Sequence, residues 1–215
     1  MSTFNYNSDC AHPRKIYTLM NKFINENISI PRTFFALPSG ITAEEFCDRV
    51  EAGLPVSEEV ESDLIFKVKK GFTCAAWDVD DLEEVECEIT VNFPQLMRNG
   101  LFAVRENAIS RCPALRGFSK LILVLLHEVG HFATAEEAAE IEDKEPTHEE
   151  KEAQYYYAKN NSNNDKDFHR IFQAYHYNRP HERLATDWAI NWLSNPENRK
   201  AAKAFEKAFF KAWRG

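Results

Sequence analysis

Apolar residues recur at the helical period along most of this chain. Ile16, Leu19, Met20 and Phe23 fall on one face of a helix predicted over 13–27, with Pro13 suited to its first turn. Thr42 and Glu45 have capping-box spacing and open a helix to about Glu51, which Gly53 and Pro55 end. A further helix is expected to open at Ser57 and run to about Lys70. In the tail, Pro180 precedes a helix predicted over 181–193. Asn195 and Pro196 start another, whose Ala201, Phe205, Ala208, Phe209 and Trp213 form a packing stripe. One segment changes period. Val85, Cys87, Ile89, Val91 and Phe93 alternate with polar residues, which predicts a strand with one buried face, ended by Pro94. Residues 73–79 are its candidate partner, joined through Asp80 and Asp81. The pattern is α+β: mainly helical, with a small β-sheet.

Composition sets bounds on this picture. At 215 residues the chain fits one medium domain, or a small domain with a helical extension. We expect an N-terminal helical region over 1–70 packed on a main domain over 71–215. The net charge of −8 argues against nucleic acid or an anionic membrane as the main partner. Two short helices over 42–70 would resemble a helix-turn-helix, but Glu58, Glu59 and Glu61 would repel phosphate. The longest apolar run, 121–126, is far too short to span a bilayer. The first twenty residues carry no signal-peptide pattern. Cys10, Cys47, Cys74, Cys87 and Cys112 are odd in number and widely spaced, as expected of reduced, mostly buried thiols in a cytoplasmic protein.

The charge is concentrated. Residues 136–152 hold nine acidic residues and two lysines, so nearly all the net charge lies there. This stretch reads as a solvated face and loop, or as a lid that favours basic substrates. The Asn-rich 159–167 reads as an exposed loop.

Residues 118–134 read FSKLILVLLHEVGHFAT and contain His127-Glu128-Val129-Gly130-His131, the H-E-x-x-H pattern. On a helix, positions 127 and 131 share a face, so both imidazoles can reach one metal ion. Glu128 borders that face and can serve as general base. Six large aliphatics precede the motif, so the helix is expected to be buried nearly all round. Burying two histidines and a carboxylate costs several kcal/mol unless they find partners, and Zn²⁺ supplies one. The bland alternative is a polar pocket, with Glu128 paired to Arg170 or Arg183.

A catalytic zinc site needs a third protein ligand. Thr134 and Glu137 exclude the extended H-E-x-x-H-x-x-G-x-x-H motif. The candidates are Glu182, His148, His169, His176, His181 and Asp187. Glu182 is preferred: it stands in the first turn of a predicted helix, and Ala185 and Ala189 on its side permit close approach. Thr186 and Asp187 are candidates to hydrogen-bond a ligating histidine. Tyr175, His176, Tyr177 and His181 are candidates to steady a developing oxyanion.

With His127-Glu-Val-Gly-His131 and Glu182-x-x-Ala185-x-x-Trp188-Ala189, the chain resembles the ImmA/IrrE family of metallopeptidases over roughly 80–195. The resemblance implies a zincin-like domain with Glu182 as third zinc ligand. It also implies zinc-dependent hydrolysis of peptide bonds in a protein substrate, in a prophage, mobile-element or stress-response setting. The alternatives are a metal-bound regulator that binds a partner protein without cleaving it, and a closed structural zinc site in which His169 or His176 adds a fourth ligand.

Overall fold

A run of large aliphatics cannot remain in water, and the chain folds around the one it has. The computed structural model describes residues 13–36, 40–70, 75–77, 86–91, 96, 102–141 and 146–214. Its helices are α1 (Pro13–Asn27), α2 (Ala43–Glu51), α3 (Phe102–Arg111), α4 (Lys120–Ala133), α5 (Ala135–Ala139), α6 (His148–Asn161), α7 (Asp165–His176), α8 (Pro180–Trp192) and α9 (Pro196–Arg214). Its strands are β1 (Pro31–Ala36), β2 (Glu58–Asp63), β3 (Ile65–Lys70), β4 (Ala75–Trp77) and β5 (Glu86–Val91). Expectations about Cys10, Pro38, Cys74, Asp80, Asp81, Pro94 and acidic residues 142–145 lie outside the described residues, as does the side chain of His169. The architecture is mostly helical with small sheets, in keeping with the α+β expectation. No described helix is long and apolar enough to cross a membrane.

Helix α4 is the centre. Every residue from Leu121 to Phe132 is buried, the two histidines included. It packs on α8 along one side, on α3, and on strands β4 and β5. Its ends are held by charge. At the N-terminus the Ser119 amide donates to the buried Glu206 carboxylate of α9 at 2.6 Å. At the C-terminus Arg32 of β1 donates to the Phe132 carbonyl at 2.6 Å and pairs with Glu136. An anion at the positive end of a helix and a cation at the negative end both stabilise it.

The segment 57–70 corrects the sequence reading. The expected helix is replaced by β2 and β3, so the N-terminal region is not purely helical. Leu64, Phe66 and Val68 are buried while Ile65 and Lys67 are exposed, a period-two pattern that fits a strand and not a helix. β2 pairs antiparallel with β1 in a separate two-stranded ribbon. β3 joins the main sheet, in the order β3-β5-β4, with β3 parallel and β4 antiparallel to β5. The expected strand over 85–93 is therefore central. It is flanked on both sides and offers no free edge to an extended peptide.

The outer edge of β3 is also covered. The Asn25 amide bridges the backbone of Phe66, accepting from its N–H and donating to its carbonyl, both at 2.8 Å. Asn21 does the same at Val68, at 2.7 and 3.4 Å. Helix α1 thus presents two side-chain amides, one turn apart, where a neighbouring strand would lie. Its apolar face packs against α9 and α8, with Phe23 stacked on Phe205 at 4.5 Å and edge-on to Trp192 at 6.0 Å.

Two other expectations change. The predicted Asn-rich loop shrinks to 162–164, because Asn164 caps α7 by accepting from the Asp167 amide at 2.9 Å. Among the described cysteines, Cys87 is buried, with burial raising its thiol to about 11, but Cys47 is exposed.

Helices α4 and α8 meet backbone to backbone. A Cβ on Gly130 would stand 2.9 Å from Ala185 Cα and closer still to its carbonyl oxygen. Only glycine fits there. Gly130→Ala should force the helices apart and lower unfolding free energy by about 1–3 kcal/mol. Urea titration of the two proteins measures this, and equal midpoints would show that the helices re-space without cost.

Candidate metal centre

Helix α4 carries His127 and His131 one turn apart on the side that faces α8. Glu182 lies in the first turn of α8, after Pro180, where a carboxylate is favoured by the helix dipole. Ala185 and Ala189 are fully or almost fully buried at the crossing, so α8 comes close enough for Glu182 to reach both histidines. His127, His131 and Glu182 are all buried, and one donor atom from each lies within 4.8 Å of the others. This group could hold a metal ion.

Each oxygen of Glu182 has its own company. Oε2 is 2.9 Å from His127 Nε2 and 3.7 Å from His131 Nε2. Oε1 is 2.9 Å from His176 Nε2 and 3.3 Å from His181 Nε2. Burial alone would raise this carboxyl, but the four imidazoles gathered around its oxygens outweigh it and hold Glu182 well below the usual carboxylate range. Burial pushes His131 down to about 4, so its imidazole is neutral near pH 7. Burial raises Glu128 to about 7; the Glu182 charge adds to this, and His127 and His176 oppose it.

The hydrogen bonding of His127 tests whether the site suits a metal. The Thr186 hydroxyl donates to the Glu182 backbone carbonyl at 2.9 Å, so towards His127 Nδ1, 3.0 Å away, it accepts. Nδ1 therefore carries the proton. In neutral His127 the Nε2 lone pair then points at Glu182 Oε2, itself a lone-pair donor. Two lone pairs at 2.9 Å need a cation between them. A proton can serve that one pair. A metal ion serves His127, His131 and Glu182 together, and the donor set fits a borderline ion such as zinc.

Other expected residues take other places. Asp187 pairs with Arg111 of α3 and has no part in orienting a histidine. His148 is exposed at the start of α6. The positions of His176 and His181, both against the second oxygen of Glu182, follow from the tight turn between α7 and α8. Their flanking of Glu182 within seven residues was the available sequence signal. Tyr177 is buried with its ring 5.7 Å from that of His127.

Comparison of the chain with family models, curated proteins and solved structures gives no match.

Two outcomes follow from this geometry. Thr186→Val removes the acceptor at Nδ1, and zinc affinity should fall about 10- to 100-fold, measured by chelator competition, while Thr186→Ser retains it. The second concerns the metal-free protein. Glu128, raised to about 7 from 4.5, favours folding at low pH, and this contribution is lost as pH rises through about 7. His131, lowered to about 4 from 6.5, favours folding above 6.5, and this is lost as pH falls through about 4. The two slopes oppose each other. Metal-free Glu128→Gln should therefore lose stability more steeply than wild type on acidification from 6.5 to 4, with parallel slopes in urea titrations as the contrary result.

Proposed function

We propose that the chain is a zinc-dependent peptidase of the H-E-x-x-H type, with His127, His131 and Glu182 as ligands and Glu128 as general base. The observation that carries this reading is the buried group of His127, His131 and Glu182, with one donor atom of each within 4.8 Å of the others, beside the buried Glu128 carboxyl raised to about 7. A site with a purely structural ion has no use for that carboxyl. A general base works best with a pKa near the working pH.

When bound, zinc acts as a Lewis acid that acidifies a water and polarises a carbonyl. The chain's own residues do the rest. Glu128 takes the proton from the attacking water and delivers it to the leaving amine. Thr186 and Glu182 fix the orientation of His127. His176, half-exposed with Nε2 2.9 Å from Glu182 Oε1, is our candidate to steady the developing oxyanion, releasing Glu182 to donate there.

The resemblance to ImmA/IrrE metallopeptidases extends the proposal to a zincin-like domain and to a regulatory protein of a prophage or mobile element as substrate. Glu128→Gln should keep one zinc per chain yet lose about 100- to 10,000-fold in peptide cleavage. Zinc by mass spectrometry and cleavage of a peptide library by the same preparations decide it. Undiminished cleavage by the pure variant would remove the mechanism.

A further inference from the structure

After α5 the chain makes an excursion, the α6–α7 hairpin, before returning to the metal centre at α8. Between the two hairpin helices lies a cavity of about 310 Å³. Its inner wall is His176 and Tyr177, and both also face the metal group. His176 Nε2 is 2.9 Å from Glu182, and the Tyr177 ring packs edge-on against His127. The cavity and the site thus share His176 and Tyr177.

The other walls are aromatic. Phe172 and Tyr175 line the cavity and remain 37% and 42% exposed. Behind them Phe168 stacks on Phe172 at 5.7 Å, and Tyr155 meets Phe168 edge-on at 5.4 Å. This braces the wall from within the hairpin. None of the lining residues is a carboxylate, and the charged ones, Lys151 and Arg179, are both cations. A lysine or arginine side chain entering here would lose its hydration and meet no carboxylate among the described lining residues.

We propose that this cavity is the specificity subsite of the peptidase, and that it takes one large apolar side chain, aromatic above all, next to the scissile bond. The inference rests on the peptidase reading. The volume is at the small end of ligand pockets, about 300–1,000 Å³, as suits a single side chain. The acidic run 136–152 then acts through Pro146 and Lys151, which line the cavity, and none of its described carboxylates does. Its described part closest to α4 begins with Glu136, which is paired with Arg32 and turned to the β1–β2 ribbon.

The test uses peptides identical except for Phe, Ala or Lys at the positions flanking the scissile bond. Cleavage is measured with the zinc-loaded wild type. Binding is measured separately by fluorescence anisotropy on zinc-loaded Glu128→Gln protein. The expected result is a preference for Phe over Ala and Lys of about tenfold or more in both readouts. Gln154→Trp, which fills the cavity from α6, should bring the Phe-to-Ala ratio close to one. If that variant fails to fold, Phe172→Ala removes the opposite wall and should lower the ratio at least about tenfold. Equal binding of Phe and Ala peptides, or a preference that survives both variants, overturns the subsite. Selective binding of the Phe peptide without cleavage by wild type would sink the peptidase reading and leave the pocket standing.

Discussion

The distance between two helix backbones governs this molecule. Gly130 of α4 lies against Ala185 of α8 with no room for one methyl group. The buried group of two imidazoles and one carboxylate, which could hold a metal ion, comes together at this separation. The same contact lets Thr186, on the next position of α8, meet the far nitrogen of His127. The approach of Glu182 to the histidines and the orientation of His127 therefore have one cause, and it is the absence of a side chain at 130.

A helix buried on every face must be located by its neighbours. The carboxylate of Glu206, the guanidinium of Arg32, the sheet and α8 meet α4 from four directions. The polar cost of burying its ends is met by charged hydrogen bonds, which are stronger than neutral ones. One group is left over: the Ser119 hydroxyl is buried without a hydrogen-bond partner. Glu206 takes the place that the third-position glutamate of a capping box would fill, on the backbone N–H of the cap residue Ser119, and its charge also complements the positive end of the helix.

What could be read from the chain depended on how local the signal was. Six aliphatics followed by H-E-x-x-H define α4 and its polar face without reference to anything else. Ala185 and Ala189 spoke for a close helix, and the structure brings Glu182 to the histidines. Residues 57–70 misled because Ser57-Glu58-Glu59 looks like a helix start, while the deciding alternation of Leu64, Phe66 and Val68 is only three positions long. The strand over 86–91 was visible from its alternation. Its central place was not, since that depends on β3 and on the asparagines of α1, far away in sequence. Thr186 was legible as a partner for histidine, but Asp187 beside it faces Arg111, one residue and about 100 degrees further round the helix.

The cap on α4 has a consequence for how the chain is made. Ribosomes deliver the aliphatic run and both histidines first; Glu182 and Ala185 follow some fifty residues later, and Glu206 later still. Until then the most water-averse segment of the protein has neither its covering helix nor its anchoring carboxylate. Only α3 and the strands, made before it, can cover part of this helix in the meantime. The nascent chain passes through a long interval in which this apolar segment is incompletely covered, the kind of exposure that favours aggregation. The clasp that makes the finished site rigid is also what makes it complete so late.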